Sequence, residues 1–133
     1  MKIDEVRLRE LIPDAGRLLF GDAIPAEYRS DALGRLKGTA DALIFPLSTE
    51  EVSGVLRYAH ENRVPVTPRG AGTNLVGSAV PLFGGIILDL SRMDRVLELD
   101  EDTMYHHRRA GHPFAGCAGL CGAARLLLPT GPR

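Results

Sequence analysis

The segment at residues 69–81 carries the residue types most able to do chemistry in this sequence. It combines glycines, which permit positive φ angles and a close approach of backbone to a ligand, with small polar side chains. Consecutive N–H groups in such a loop can converge on an anion, and neutral hydroxyl and amide donors suit phosphate oxygens. The segment therefore predicts a cradle for a pyrophosphate group, with an arginine charge at its rim. The glycines are Gly70, Gly72 and Gly77, the neutral donors are Thr73, Asn74 and Ser78, and the arginine is Arg69.

This segment does not match the common nucleotide-binding motifs. No Gly-Lys-Ser or Gly-Lys-Thr follows, which excludes a Walker loop. Counted from Gly70, the third glycine of G-x-G-x-x-G is replaced by Leu75, so the dinucleotide fingerprint also fails. On spacing alone, a tight turn without a ligand explains the segment equally well.

Strand and helix patterns before the segment indicate how it is positioned. Residues 42–46 form a short apolar run closed by proline, which is typical of a buried strand. Residues 48–62 begin with Ser48 and Glu51 at capping-box spacing and continue with one apolar face, which predicts a helix. Residues 64–68 predict a second strand. Together they predict a parallel βαβ unit, and ligands of open α/β sheets sit at the carboxyl ends of such strands.

The rest of the chain has simpler patterns. Residues 5–19 alternate apolar and charged side chains at helical spacing and are broken by Pro13, which predicts a short N-terminal helix. Residues 84–90 read as a glycine turn and a third buried strand. Residues 96–100 alternate apolar and acidic side chains, as a half-exposed strand does.

Several of these motifs occur together, in order, in a known family. They are Phe45-Pro46, the helix start at 48–52, the run VPVTPRGAGTNLVG at 64–77, and GGIILDLSRM at 84–93. Over about residues 37–104 the sequence resembles the FAD-linked oxidase N-terminal domain of the vanillyl-alcohol oxidase/p-cresol methylhydroxylase superfamily. More narrowly, it is similar to the FAD-binding subunit of glycolate oxidase and to D-lactate dehydrogenases.

The resemblance implies an α+β fold. We expect a fragment of the p-cresol methylhydroxylase-type FAD-binding domain, in which a small parallel βαβ sheet with helices precedes a second, mainly antiparallel subdomain. Residues 1–36 are then an N-terminal helical and loop segment, residues 37–104 a partial FAD-binding domain, and residues 105–133 a tail outside it.

The resemblance also implies the cofactor and the reaction. In this family the glycine loop wraps the pyrophosphate of FAD, and a 2-hydroxy acid such as glycolate or D-lactate passes a hydride to the flavin. Other glycolate oxidase-type subunits are implied as partners, with a cytoplasmic location peripheral to the inner face of the membrane. The FAD-binding positions carried over are Arg69, Gly70, Ala71, Gly72, Thr73, Asn74, Gly77 and Ser78.

Two functional hypotheses follow for the chain. In the first it holds FAD as part of a 2-hydroxy-acid oxidoreductase, but is an inactive fragment without catalytic residues of its own. In the second it is a non-catalytic remnant, or a phosphate-binding or interaction module, without bound flavin.

The tail at residues 105–133 has a different composition. It contains no Asp or Glu, although the chain has 17 acidic residues. If translation starts at the second base of the Tyr105 codon, the degenerate codons permit Thr-Val-Glu-Pro-Gly-Ile and, at the end, Gly-Phe-Phe-Tyr-Pro-Pro-Asp-Pro-Gly. Both resemble segments of the same family. We hypothesise a one-base slip near Met104, which predicts an out-of-frame and poorly ordered tail.

Size and composition exclude several classes of protein. A chain of 133 residues allows one domain, and a net charge of −1 argues against nucleic-acid binding by bulk electrostatics. No apolar run is long enough to span a membrane. Cys117 and Cys121 lie near three histidines (106, 107 and 112), but their spacing matches no strong metal signature, so we expect no metal site.

Overall fold

Two sheets and two helices make up the computed structural model, which describes residues 3–100, 102–103 and 105–111. The larger sheet has the strand order β1-β2-β4-β3, and the smaller one pairs β5 with β6. These elements confirm the α+β class. In chain order they are α1 (Glu5–Leu11), β1 (Leu18–Phe20), β2 (Ala42–Ile44), α2 (Thr49–Asn62), β3 (Val66–Arg69), β4 (Ile86–Asp89), β5 (Val96–Asp100) and β6 (Tyr105–Arg108).

Strand β4 lies at the centre of the parallel part of the large sheet. It pairs in parallel with β2 on one side and with β3 on the other. The predicted βαβ unit is therefore present, but its two strands are separated by the strand that follows it in the chain. Because β3 pairs only with β4 in the described sheet, the missing N–H of Pro68 leaves no gap in a central ladder.

The N-terminal helix is shorter than predicted. Helix α1 ends at Leu11, before Pro13, and Leu18 and Leu19 belong instead to β1, which runs antiparallel to β2. The prediction of helix over 5–19 was wrong beyond Leu11, because proline cannot continue the helical hydrogen bonding. The three apolar residues of β1 form main-chain hydrogen bonds with β2 instead.

Helix α2 begins as its sequence predicts. The hydroxyl of Ser48 accepts from the N–H of Glu51 at 3.2 Å, and the Glu51 carboxylate accepts from the N–H of Leu47 at 2.8 Å. The same carboxylate receives two hydrogen bonds from the guanidinium of Arg17, at 2.7 and 3.0 Å. This pair joins the start of α2 to the residue that precedes β1.

The large sheet is buried on both faces. Ala42, Ile44, Ile86 and Leu88 pack on one side in the core that includes α1 and α2 residues, while alternate residues of the same strands face the other side. That second cluster is built from Ile24, Leu43 and Ile87, with Leu19, Tyr28, Ala40 and Phe45 packed against it. Two-sided burial explains why β2 and β4 read as continuous apolar runs.

The hairpin of β5 and β6 agrees with the expected start of an antiparallel subdomain. It crosses the boundary that we placed after residue 104, because β6 is formed by the first residues of the tail. Gly111 lies so close to the carbonyl oxygen of Leu90 that a Cβ atom there would collide with it. Residues 112–133, including Cys117 and Cys121, lie outside the described part of the chain.

Candidate functional site

The glycine loop leaves the large sheet at its carboxyl edge. Arg69 ends β3 and is paired in register with Asp89, which ends the neighbouring β4. The loop therefore starts where two parallel strands finish together, which is the ligand position expected for an open α/β sheet.

Arg69 lies inside the base of the loop. Its guanidinium donates to the carbonyl oxygens of Ser30 at 2.9 Å, Glu27 at 3.1 Å and Ala79 at 3.4 Å. It also stacks over the ring of Tyr28, 5.1 Å from the ring centroid. The guanidinium therefore holds main-chain segments together, and Arg69 also lines the cavity beside the loop.

Two glycines of the loop occupy positions where a side chain would collide with the protein, whereas a third does not. Gly72 has a φ of +71°, and a Cβ atom there would collide with the guanidinium of Arg69. Gly77 has a φ of +78°, and a Cβ there would press on the side chain of Leu36. A Cβ at Gly70 would meet no atom within 4 Å. Gly72 and Gly77 are therefore required by the loop itself, whereas Gly70 faces open space.

Asp31 holds the far end of the loop. Its side chain is buried, with the residue 8% exposed, and one carboxylate oxygen accepts from the N–H of Gly77 at 3.0 Å. The other oxygen accepts from the N–H groups of Leu33 and Gly34, at 3.1 and 3.0 Å. Sequence reasoning missed Asp31. Its only signal was an Asp followed three residues later by Gly, a common turn pattern.

The front of the loop presents unpaired polar groups. Within the described part of the chain, the main-chain N–H groups of residues 70–76 donate to no other group of the protein. The side-chain oxygen of Asn74 is buried and has no hydrogen-bond partner there either. Ala71, Thr73 and Ser78 are exposed. A loop with free donors and one orphaned acceptor is suited to a ligand that carries both phosphate oxygens and hydroxyl groups.

A cavity of about 430 Å³ opens beside the start of the loop. At its wall, the hydroxyl of Tyr28 donates to Asp89 at 2.8 Å, and the other oxygen of Asp89 accepts from the N–H of Ser91 at 2.8 Å. Burial, followed by the hydrogen bond to Asp89, raises the pKa of Tyr28 to about 12. Asp89 thus caps the turn after β4, as its sequence position indicates. The lining residues are Glu27, Tyr28, Arg69, Gly70, Ala71, Asp89 and Ser91.

Two aromatic rings lie in contact between two arginines at this edge of the sheet. Tyr28 and Phe45 meet edge to face with their centroids 6.2 Å apart, and Arg92 lies over Phe45 at 4.7 Å. With Arg69 over Tyr28, the order is arginine, tyrosine, phenylalanine, arginine. This layer forms a rigid floor under the site.

Comparison with known proteins identifies the family. Residues 40–132 match the family described as FAD binding domain. The chain belongs to the FAD-binding domain family. The match extends into the tail, to residue 132.

Curated relatives are similar over most of this chain. It is 33% identical to a D-lactate dehydrogenase of Anaerostipes hadrus over 127 residues, which is 95% of this chain and 26% of that protein. It is 40% identical to glycolate oxidase subunit GlcD of Bacillus subtilis over 91 residues, 68% of this chain and 18% of that protein. The chain therefore spans about a quarter or less of the relatives that it matches.

Solved structures support the fold. p-Cresol methylhydroxylase with substrate bound aligns with a TM-score of 0.78 and 23% identity, over 91% of this chain and 24% of that chain. The predicted p-cresol methylhydroxylase-type architecture is confirmed, and FAD is the cofactor of the domain.

The described residues contain no group of three or more His, Cys, Asp or Glu side chains placed to hold a metal ion. None of the helices formed by these residues has both the length and the apolar character needed to cross a membrane.

Proposed function

We propose that this chain binds FAD through the pyrophosphate, using the loop at residues 70–78, and that it is the flavin-holding part of an oxidoreductase of 2-hydroxy acids. The observation that carries the proposal is the row of N–H groups at residues 70–76, which have no partner among the described residues. Membership of the FAD-binding domain family supports FAD as the ligand of these donors.

The residues present fit that ligand. The loop N–H groups suit the pyrophosphate oxygens, and the buried side-chain oxygen of Asn74 suits a hydroxyl group of the ribose or ribityl chain. Thr73 and Ser78 add exposed hydroxyl donors. Of the positions expected from the sequence, Gly70, Ala71, Thr73, Asn74 and Ser78 are those we assign to the FAD side. Arg69, Gly72 and Gly77 shape the loop. When bound, FAD supplies the hydride acceptor for oxidation of the substrate.

The substrate class rests on the relatives. Their names give D-lactate and glycolate as compounds on which they act, and both are 2-hydroxy acids. We extend that class to the enzyme from which this chain derives. We also propose that oxidation requires protein outside this chain, because the chain aligns with only 26% of the D-lactate dehydrogenase.

Partner subunits belong to the same proposal. The Bacillus relative is named a subunit, and we infer that this chain works beside other glycolate oxidase-type subunits, in the cytoplasm at the inner face of the membrane. Co-purification of such subunits with the tagged chain from the membrane fraction of its source cells is the expected result. Recovery of the chain alone, under conditions that keep a known glycolate oxidase assembled, would contradict it.

Flavin absorbance tests the cofactor proposal. The purified chain is titrated with FAD, then challenged with ADP or with riboflavin. We expect FAD to bind and ADP to compete, because ADP carries the pyrophosphate, whereas riboflavin does not. Competition by riboflavin but not by ADP would refute the assignment of the loop. A chain that binds none of the three would favour the remnant without flavin. Addition of D-lactate or glycolate is expected to leave the visible absorbance of bound flavin unchanged.

A further inference from the structure

The segment at residues 27–31 contacts the glycine loop at both ends. At the entry, the guanidinium of Arg69 donates to the main-chain carbonyl oxygens of Glu27 and Ser30 and lies over the ring of Tyr28. Gly77, near the exit, donates its N–H to the carboxylate of Asp31. The matched family domain begins at residue 40, so this segment precedes it.

These contacts determine which way the loop turns its donors. The carboxylate of Asp31 takes the N–H of Gly77 away from the ligand side, and the guanidinium of Arg69 occupies the space behind Gly72. With both ends fixed, the N–H groups of residues 70–76 between them have no partner among the described residues. A loop that is held in its binding conformation before the ligand arrives loses less conformational entropy on binding.

We propose that residues 27–31 are a positioning element for the FAD-binding loop, with Asp31 as its key side chain. The proposal rests on the proposed function, since the ligand of the loop is taken to be the pyrophosphate of FAD. Asp31 touches no ligand in this scheme. It acts through Gly77.

Removing the charge of Asp31 distinguishes a positioning role from a purely electrostatic one, because the two predict opposite changes in FAD affinity. Asp31 is a negative charge near a loop proposed to bind an anion, so by Coulomb's law its removal would strengthen binding. As a positioning residue, it has the opposite effect. Asp31→Asn is nearly isosteric, but one of its two acceptor oxygens becomes an NH₂ donor. The side chain can then no longer satisfy both Gly77 and the turn at residues 33–34.

Asp22 offers a matched control. It is exposed in the turn at residues 21–23, outside both the loop and the lining of the cavity. Asp22→Asn therefore makes the same chemical change and the same change of net charge, and leaves the loop contacts intact. We expect FAD affinity to be unchanged in Asp22→Asn and about tenfold or more lower in Asp31→Asn, the loss typical of a hydrogen bond to a charged group.

Two measurements on the full 133-residue chain complete the test. FAD titration gives the affinities, and the amide resonance of Gly77 reports its hydrogen bond without any ligand. We expect that resonance to shift in Asp31→Asn and to stay in place in Asp22→Asn. The thermal midpoint of Asp31→Asn should fall, because a buried carboxylate loses hydrogen bonds, so circular dichroism must show that the variant is folded at the temperature of the titration. An unshifted Gly77 amide in Asp31→Asn, or an FAD affinity of the folded variant equal to or above that of the wild-type chain, would overturn the positioning role. A different outcome would refute the proposed function. In that outcome the Gly77 resonance shifts in Asp31→Asn as expected, but the wild-type chain binds neither FAD nor ADP.

Discussion

Alanine at Gly72 and alanine at Gly70 are expected to have different effects, although the two glycines are one residue apart in the same motif. Gly72 has a φ of +71°, and a Cβ there would collide with the Arg69 guanidinium. Gly70 lies outside the left-handed region, and a Cβ there meets nothing within 4 Å. The first substitution therefore disturbs the fold, whereas the second adds a methyl group to open space beside the cavity.

The expected cost of Gly72→Ala has two parts. An L-residue in the left-handed region costs about 1–2 kcal/mol. To make room for the methyl group, the Arg69 guanidinium must leave at least one of its carbonyl acceptors, and a hydrogen bond from a charged group contributes about 1.5–3 kcal/mol. We expect a loss of roughly 3 kcal/mol for Gly72→Ala and a change within about 0.5 kcal/mol for Gly70→Ala.

Urea denaturation followed by circular dichroism measures both values, and FAD titration completes the comparison. We expect Gly72→Ala to lose stability and FAD affinity together. Gly70→Ala should keep the stability of the wild-type chain but bind FAD more weakly, because its methyl group enters the space proposed for the cofactor. Equal midpoints for the two variants would refute the assignment of Gly72 to the loop interior. Unchanged FAD affinity in Gly70→Ala would refute the assignment of Gly70 to the ligand side.

Three further predictions concern the buried ion pair, the phenol and the reading frame. Glu51→Gln removes the carboxylate that accepts two hydrogen bonds from the buried Arg17, which keeps only Asp14, 3.4 Å from its Nε, as a described ion-pair partner. This change should lower the unfolding free energy in urea by about 3 kcal/mol. The hydrogen bonds from Arg17 lower the pKa of Glu51, so this stabilisation is present above the ordinary glutamate value of 4.5 and is lost as the pH falls through the folded-state value. Wild-type and variant stabilities should therefore converge in acid, and a constant difference would contradict the pairing. The pKa of Tyr28 is raised to about 12, so its contribution is complete below about pH 10 and is lost as the pH rises toward 12. Tyr28→Phe should be less stable than wild type at neutral pH and lose less on alkaline titration; parallel curves would argue against the hydrogen bond to Asp89. Gene sequencing checks the slip: the frame that starts at the second base of codon 105 should continue as a flavoprotein, and stop codons soon after in that frame would rule it out.

Residue 111 fits the structure in either reading frame. The glycine of Thr-Val-Glu-Pro-Gly in the shifted frame falls at position 111, where the structure has no room for a Cβ. Since the codons permit glycine at this position in both frames, the close approach to Leu90 is satisfied either way.

Elements with local signals were predicted well from the sequence. Helix α2 was predicted because Ser48 and Glu51 mark its start within four residues of each other. Strands β2 and β4 were predicted because burial on both faces requires a continuous apolar run. The glycine loop was located for the same reason, since its composition is unusual within one short segment.

Features that depend on distant partners could not be predicted in this way. Asp31 reaches a residue 46 positions away, and no local pattern indicates that partner. Arg69 was expected at the rim because its charge suits phosphate, but carbonyl acceptors from another segment draw it inward. β1 was taken as helix because the advantage of Leu18 and Leu19 as strand residues comes from pairing with β2, more than twenty residues later.

The central position of β4 also constrains when the sheet can assemble. During synthesis, β1, β2, α2 and β3 emerge before residues 86–89, but β3 has no neighbour in the described sheet other than β4. Until β4 is made, the edges of β2 and β3 that will face it have no partner. Helix α2 also lacks Ile86 and Leu88, which belong to the core cluster that it packs in. We therefore expect the large sheet to form late and in one step, as β4 inserts between two strands already joined by a helix. The glycine loop connects β3 to β4, so its two ends come together when these strands pair. We therefore expect the loop to reach its binding conformation only when the sheet is complete.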